Sequence, residues 1–137
     1  MGHSIFVTVS IYLNRMLNGV DWYYQVELPA VFGAEHPLGS ILGKAKYSDG
    51  FFVYQGVTIG GNKGKYPVIG KNVVLYSDAK ILGHAQIGNN VVISANSYIK
   101  DEDIPDNCLV FGTSPNLIIK QKSVDEMKEY FQFFKFD

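Results

Sequence analysis

From Ile69 onward an aliphatic residue stands at every sixth position: Ile69, Leu75, Ile81, Ile87, Ile93 and Ile99. The fifth place of each unit holds a small or β-branched residue in Val73, Ala79, Ala85, Val91 and Ser97, until Asp103 breaks the series. Upstream the register continues through Ile41, Tyr47, Val53 and Ile59, with Ala45, Phe51 and Val57 at the fifth places. Ile59 and Ile69 are ten apart rather than six, so four residues are extra. They fall within Gly60–Pro67, where three Gly, Asn62 and Pro67 mark a loop. A period of six fits neither a helix nor a hairpin meander. It fits a parallel β-helix, in which each hexad is a short strand plus a corner. The first residue fills the core, and the fifth points inward where the corner is tight. Gly70, Gly88, Asn72, Asn89 and Asn90 are expected at corners, where Gly and Asn tolerate left-handed backbone. Ten hexads predict just over three coils.

The ends of the chain read differently. Ser123-Val-Asp-Glu126 is a capping box, followed by Met127, Tyr130, Phe131 and Phe134, which predicts a helix over 123–136. Its apolar face calls for cover by the body or by another subunit. The apolar stretch 4–11 is interrupted by Asn14 and Arg15, too short for a membrane span, and lacks the flanks of a secretory signal. Residues 4–18 could instead form an amphipathic docking helix. The expected organisation is one domain: an N-terminal segment 1–34, coils over 35–104 with an extruded loop 60–68, an extension 105–122, and the helix.

Composition narrows the function classes. The chain has 137 residues and a formal charge of −1, which gives no electrostatic case for nucleic acid. One cysteine, Cys108, excludes an internal disulfide and a cysteine-only zinc site, and fits a cytoplasmic protein without membrane attachment. Gly accounts for 14 residues, about one in ten against a usual ~7%.

The hexads resemble those of the hexapeptide-repeat acyltransferases. Gln55-Gly-Val-Thr-Ile-Gly-Gly61, Ala79-Lys-Ile-Leu-Gly83 followed by Ile87-Gly88, Asp103-Ile-Pro105 and Gly112-Thr-Ser-Pro115 resemble segments of the serine acetyltransferase catalytic domain. The resemblance covers roughly 25–120. It implies an all-β fold, a left-handed parallel β-helix, that assembles as a homotrimer with active sites between subunits. It also implies acetyl-CoA as co-substrate, a small-molecule acceptor (amino acid or sugar) and no metal.

Glu35-His36-Pro37-Leu38-Gly39 stands where the family carries its catalytic histidine, nineteen residues before Gln55. An imidazole titrating near 6.5 is partly neutral at cell pH and can take the proton of an attacking hydroxyl. His36 is thus the expected general base, with Glu35 or Glu27 as its acidic partner. Glu27 lies in Gln25-Val-Glu-Leu-Pro29, similar to a family segment whose acid pairs with the base. By the same analogy Gly60 and Gly61 line the pantetheine arm, Ala79 and Ala95 continue that groove, and Lys100 and Lys120 attract the CoA phosphates. In the family, an Arg-His pair in the extruded loop helps hold the acceptor. Here Lys65 and Tyr66 stand there, and Lys lacks the planar fork that grips a carboxylate at two points. A sugar or polysaccharide precursor is therefore an alternative acceptor, with Tyr47, Tyr54 and Tyr66 as ring platforms. Two further readings are a carbonic-anhydrase-like zinc protein using His3, His36 and His84, and a non-catalytic β-helix. The three histidines are 33 and 48 residues apart, without the closely spaced pair such a zinc site needs.

Overall fold

The structure is a computed structural model describing residues 9, 13 and 15–134, with the side chains of 133 and 134 excluded. Most of the predicted docking helix 4–18 lies outside the described residues. Residues 15–18 are helical.

Short strands wind into a three-faced prism. The first face stacks β1 (Asp21–Trp22), β3 (Ile41–Leu42), β5 (Thr58–Gly60), β8 (Lys80–Leu82) and β11 (Tyr98–Lys100). The second stacks β2 (Phe32–Ala34), β4 (Phe51–Val53), β7 (Val73–Leu75), β10 (Val91–Ile93) and β13 (Cys108–Phe111). The third stacks β6 (Val68–Ile69), β9 (Gln86–Ile87) and β12 (Asp103–Ile104). Every neighbour within these stacks is parallel; only β14 (Ile118–Gln121) is antiparallel, on the free edge of β13. Five layers form where the hexads predicted just over three coils. The stack also begins at Asp21, ahead of the expected 35: Trp22 and Leu28, six residues apart, pack with Val26 against the core.

Register explains the core. Ile81 pairs with Ile99, eighteen residues on, and Val73 with Val91, so three hexads make one coil. Like side chains then stack about 4.8 Å apart. Ile59, Ile69, Leu75, Ile81, Ile93 and Ile99 are fully buried, as are Val57, Val73, Ala79, Ala85 and Val91 at the fifth places. The first coil is longer, Asp21 pairing with Ile41, whereas two coils at the ends of the hexad run are one residue shorter. Leu42 pairs with Ile59 and Ile87 with Ile104, seventeen apart. Leu42 therefore fills the inner position expected of Ile41, which is 44% exposed, and Ile104 does so in place of the next sixth residue.

The corners divide into two kinds. Asn72, Asn90 and Asn107 have φ of 54°, 56° and 57° and form one left-handed column. Asn72 Nδ2 donates to Asn90 Oδ1 at 3.0 Å, and Asn90 Nδ2 to Asn107 Oδ1 at 2.9 Å. Gly70 and Gly88 are not left-handed, contrary to expectation. They are required by close approach: a Cβ on Gly70 would lie 2.5 Å from the Gly88 carbonyl oxygen, and one on Gly88 2.4 Å from Asp106 Oδ1. Asn89 likewise serves stacking, its Oδ1 accepting from the Lys71 N–H at 2.8 Å.

The predicted C-terminal helix is a five-residue α-helix, Val124–Lys128, followed by a 3₁₀ segment, Glu129–Phe134. The capping box forms, with Ser123 Oγ accepting from Glu126 N–H and Glu126 Oε2 accepting from Ser123 N–H. Met127 is buried against Phe52, Val74 and Val92, the outward middle residues of β4, β7 and β10. The second face is thus covered within the chain, which is why all three residues of those strands are buried.

Two predictions follow from this packing. Met127→Ala is expected to destabilise the fold by about 2–4 kcal/mol, read from urea unfolding. Cys108 is fully buried, and burial pushes its thiol up to about 11 from an ordinary 9.0. The unfolded chain releases this proton first, so stability is complete below about pH 9 and falls as pH rises toward 11. The urea midpoint should drop between pH 8 and 10 in the parent and drop less in Cys108→Ala.

Candidate active site

His36 sits on the corner between the second and first faces, in left-handed backbone with φ of 49°. His is among the few non-glycine residues enriched in that region, and such outliers cluster at functional sites. The conformation turns the side chain outward, where it is 79% exposed. Its Nε2 lies 3.7 Å from Glu35 Oε1. Glu35 is held at the end of β2 by its N–H donating to the Val53 carbonyl at 3.0 Å. Glu27 is exposed and forms no ion pair with another described residue, so the acid beside His36 is Glu35.

A second reading from sequence failed outright at Ala79. Its methyl is fully buried in the core, its N–H donates to the Tyr76 carbonyl and its carbonyl accepts from Thr58. It lines no groove, because the fifth hexad position points inward. Ala95 does lie on the exposed surface, on the His36 corner three coils along. Lys120 joins that edge from β14, its Nζ 5.3 Å from the Phe111 ring centroid.

The remaining candidates occupy the other edge of the first face. Gly60, Leu82 and Lys100 stack in register at the corner toward the third face. The extruded loop begins at Gly61 as a tight hairpin: Asn62 and Lys65 exchange backbone hydrogen bonds at 2.9 and 3.0 Å around Lys63 and Gly64. Those two have φ of 50° and 74°, the double positive of a type I′ turn. The Tyr66 ring then folds back onto Gly61, where a Cβ would lie 2.5 Å from Tyr66 Cδ1. The Lys44 ammonium covers the ring at 4.6 Å from its centroid. Tyr66 is 40% exposed and helps line an open cleft of about 340 Å³ with Arg15, Asp21, Tyr23, Ile41 and Lys44. Lys65 is exposed beside it.

The expected tyrosine platform does not assemble. Tyr47 is buried in the core and donates to the Gly43 carbonyl at 2.7 Å. Tyr54 packs on the His36 edge and Tyr66 on the loop edge. His84 is exposed at the loop-side corner, its N–H donating to Asp101 Oδ1, on a different edge from His36. His3 lies outside the described residues. Among the described residues no three His, Cys, Asp or Glu side chains gather closely enough to hold a metal ion. None of their helices is long and apolar enough to cross a membrane.

Three parallel faces, eighteen-residue coils and Asn/Gly corners define a solenoid of hexapeptide repeats. The family description "Bacterial transferase hexapeptide (six repeats)" matches residues 66–101. The chain is 37% identical over 114 residues to a serine acetyltransferase of Synechococcus elongatus, covering 80% of this chain and 46% of that protein. It is 33% identical over 117 residues to a serine acetyltransferase of Staphylococcus aureus, covering 82% of this chain and 54% of the relative. The chain thus spans about half the length of the curated relatives it matches. A solved serine acetyltransferase of Neisseria gonorrhoeae superposes with a TM-score of 0.76 at 25% identity, over 85% of this chain and 48% of that one. One of Brucella abortus gives 0.76 at 25%, over 89% and 50%. The fold is a left-handed parallel β-helix of hexapeptide repeats, similar to the serine acetyltransferases.

Gly61→Ala is expected to expel the Tyr66 ring and open the hairpin, because Lys65 and Tyr66 leave the added methyl no room. Trypsin should then nick the chain after Lys63 or Lys65 several-fold faster, followed by mass spectrometry, while the core stays folded.

Proposed function

We propose that the chain is an acetyl-CoA-dependent O-acetyltransferase with His36 as general base. The observation that carries this reading is the exposed imidazole paired with Glu35 at 3.7 Å on a left-handed corner, in a chain similar to serine acetyltransferases. In the proposed reaction the acceptor hydroxyl gives its proton to His36 as its oxygen attacks the thioester carbonyl. Glu35 stabilises the imidazolium that forms. Gly60 and Gly61 admit the thin pantetheine arm and offer backbone amides to the oxyanion. The tetrahedral intermediate collapses, the C–S bond breaks, and imidazolium returns the proton to the leaving CoA sulfur.

The two candidate clusters lie on opposite edges of one face, with His36, Glu35, Ala95 and Lys120 on one and Gly60, Gly61, Lys65, Tyr66 and Lys100 on the other. This arrangement supports a homotrimer in which the loop edge of one copy meets the His36 edge of the next. A setting that supplies acetyl-CoA and keeps Cys108 reduced, the cytoplasm, fits the reading.

Serine is the first acceptor to test, given the relatives' names. A sugar or polysaccharide precursor is the second. It is favoured by Tyr66 and Tyr23 beside the cleft, with Lys65 in place of a bidentate guanidinium.

The experiment measures CoA release with L-serine, sugars and nucleotide-sugars, alongside calorimetry with acetyl-CoA and light scattering. His36→Ala is expected to keep its acetyl-CoA affinity and lose at least ~100-fold in rate. Unchanged turnover in that variant removes His36 from the mechanism. No release with any acceptor together with no acetyl-CoA binding overturns the reading, and an active monomer overturns the shared site.

A further inference from the structure

The corner between the first and third faces gathers lysines. From Gly43 to Tyr66 the chain carries four of them, Lys44, Lys46, Lys63 and Lys65, against one carboxylate, Asp49. Folding brings the four to one edge. The Lys44 ammonium lies over the Tyr66 ring, and Lys65 precedes that ring in the hairpin, with Lys63 in its turn. Lys46 donates its N–H to the Pro67 carbonyl and accepts from the Ile69 N–H. All four are exposed, and among the described residues none forms an ion pair. Asp49 stands at the other corner of the third face, its carbonyl accepting from Asn72 and its Oδ1 from the Val31 N–H. Asp21, the carboxylate in the cleft, holds Arg15 through both oxygens, at 2.8 and 2.9 Å. The cleft of about 340 Å³ therefore keeps the positive charge of Lys44 uncompensated, in a chain whose formal charge is −1.

We infer that the acceptor taken in this cleft is an acidic sugar, its carboxylate held by Lys44 with Lys65 beside it. The inference rests on the acetyltransferase reading and names the class of acceptor. An ammonium lying over an aromatic ring is held in place without being neutralised, so its free N–H groups can still donate to an anion. Tyr23 and Tyr66 add ring surface and hydroxyls suited to a sugar. The cleft is at the small end of ligand-sized cavities, enough for one sugar unit. Lys46 and Lys63 carry the positive field beyond it, which fits a chain of repeated acidic units better than a lone amino acid. The donor has its own place. Gly43 and Lys44 belong to the layer beneath Gly60, while Leu82 and Lys100 continue above it. A pantetheine arm running from Gly60 toward Lys100 leaves the lower layer to the acceptor.

The test compares acceptors that differ in their carboxylate. Oligogalacturonate is set against its methyl ester, and L-serine against L-serinamide, with CoA release as the readout. The parent is expected to favour the oligogalacturonate over its ester by about tenfold in kcat/KM, and less as salt is raised. Lys44→Gln should cut that preference about threefold to fivefold, and the double variant Lys44→Gln/Lys65→Gln about tenfold. Lys71→Gln removes an equal charge at the other corner of the third face and should change the preference by less than about twofold. Circular dichroism confirms that each variant is folded. Equal use of acid and ester, a preference that survives the double variant, or a carboxylate preference confined to L-serine overturns the inference and leaves the acetyltransferase reading standing. If no acceptor releases CoA, that reading falls, and calorimetry with the same oligosaccharides decides what the cleft takes. Binding of the acid but not the ester, lost in the double variant, supports the inference; equal binding or none overturns it.

Discussion

Parallel stacking at one strand spacing is the constraint on which this molecule depends. Each coil must place its inward side chains directly over those of the coil before, because the backbone ladder fixes the vertical step at about 4.8 Å. A coil can therefore gain residues only where the chain leaves the stack. The four extra residues between Ile59 and Ile81 go into the hairpin at Asn62–Lys65, and both flanking strands keep their register. It can lose a residue only at the ends of the repeat. There the seventeen-residue coils exchange Ile41 for Leu42 and bring Ile104 inward. The same constraint explains Gly70 and Gly88, which sit where successive corners approach too closely for a Cβ.

This rigid interior leaves the corners as the places where chemistry-bearing residues can vary. The second face is closed off within the chain by Met127, Tyr130 and Phe131 lying over Phe52, Val74 and Val92. The first face remains with its two edges open, one carrying His36 and Glu35, the other the hairpin and the Lys44–Tyr66 pair. A face about three residues wide keeps those edges apart in one chain. The candidate residues therefore sit on two separate edges of one chain, and in the proposed homotrimer the edges of neighbouring copies would meet.

The candidate residues were nameable from sequence where short segments carry them. Glu35-His36, the Gly60-Gly61 exit and the loop are contiguous, so flanking residues located them. Ala79 was misplaced because its segment resembles a ligand groove while its hexad place points into the core. Glu27 had sequence context for pairing with His36, but Glu35 stands beside the imidazole. Tyr54 was read as a ring platform beside Tyr47 and Tyr66, yet it packs on Phe52 and Tyr76. It follows Val53 as Glu35 follows Ala34 in the neighbouring coil, nineteen residues along the chain, and coil length at the ends of the repeat is not written in the hexad pattern. Tyr47 was misread in the opposite sense, since a tyrosine at a first hexad position turns inward and finds a backbone acceptor at Gly43.

The sequence by itself determined the repeat, the class of fold, the position of the extruded loop and the capped C-terminal helix. Each is a local or periodic signal, and burying one aliphatic residue in six selects the solenoid over any alternation of strands. Only the tertiary structure decided how many layers stack, which face the helix covers, and that His36 and the Gly-Gly exit lie on separate edges. Those outcomes depend on register between coils seventeen to twenty-two residues apart. That register is set by packing and hydrogen bonding between coils, contacts that the linear order of residues does not contain.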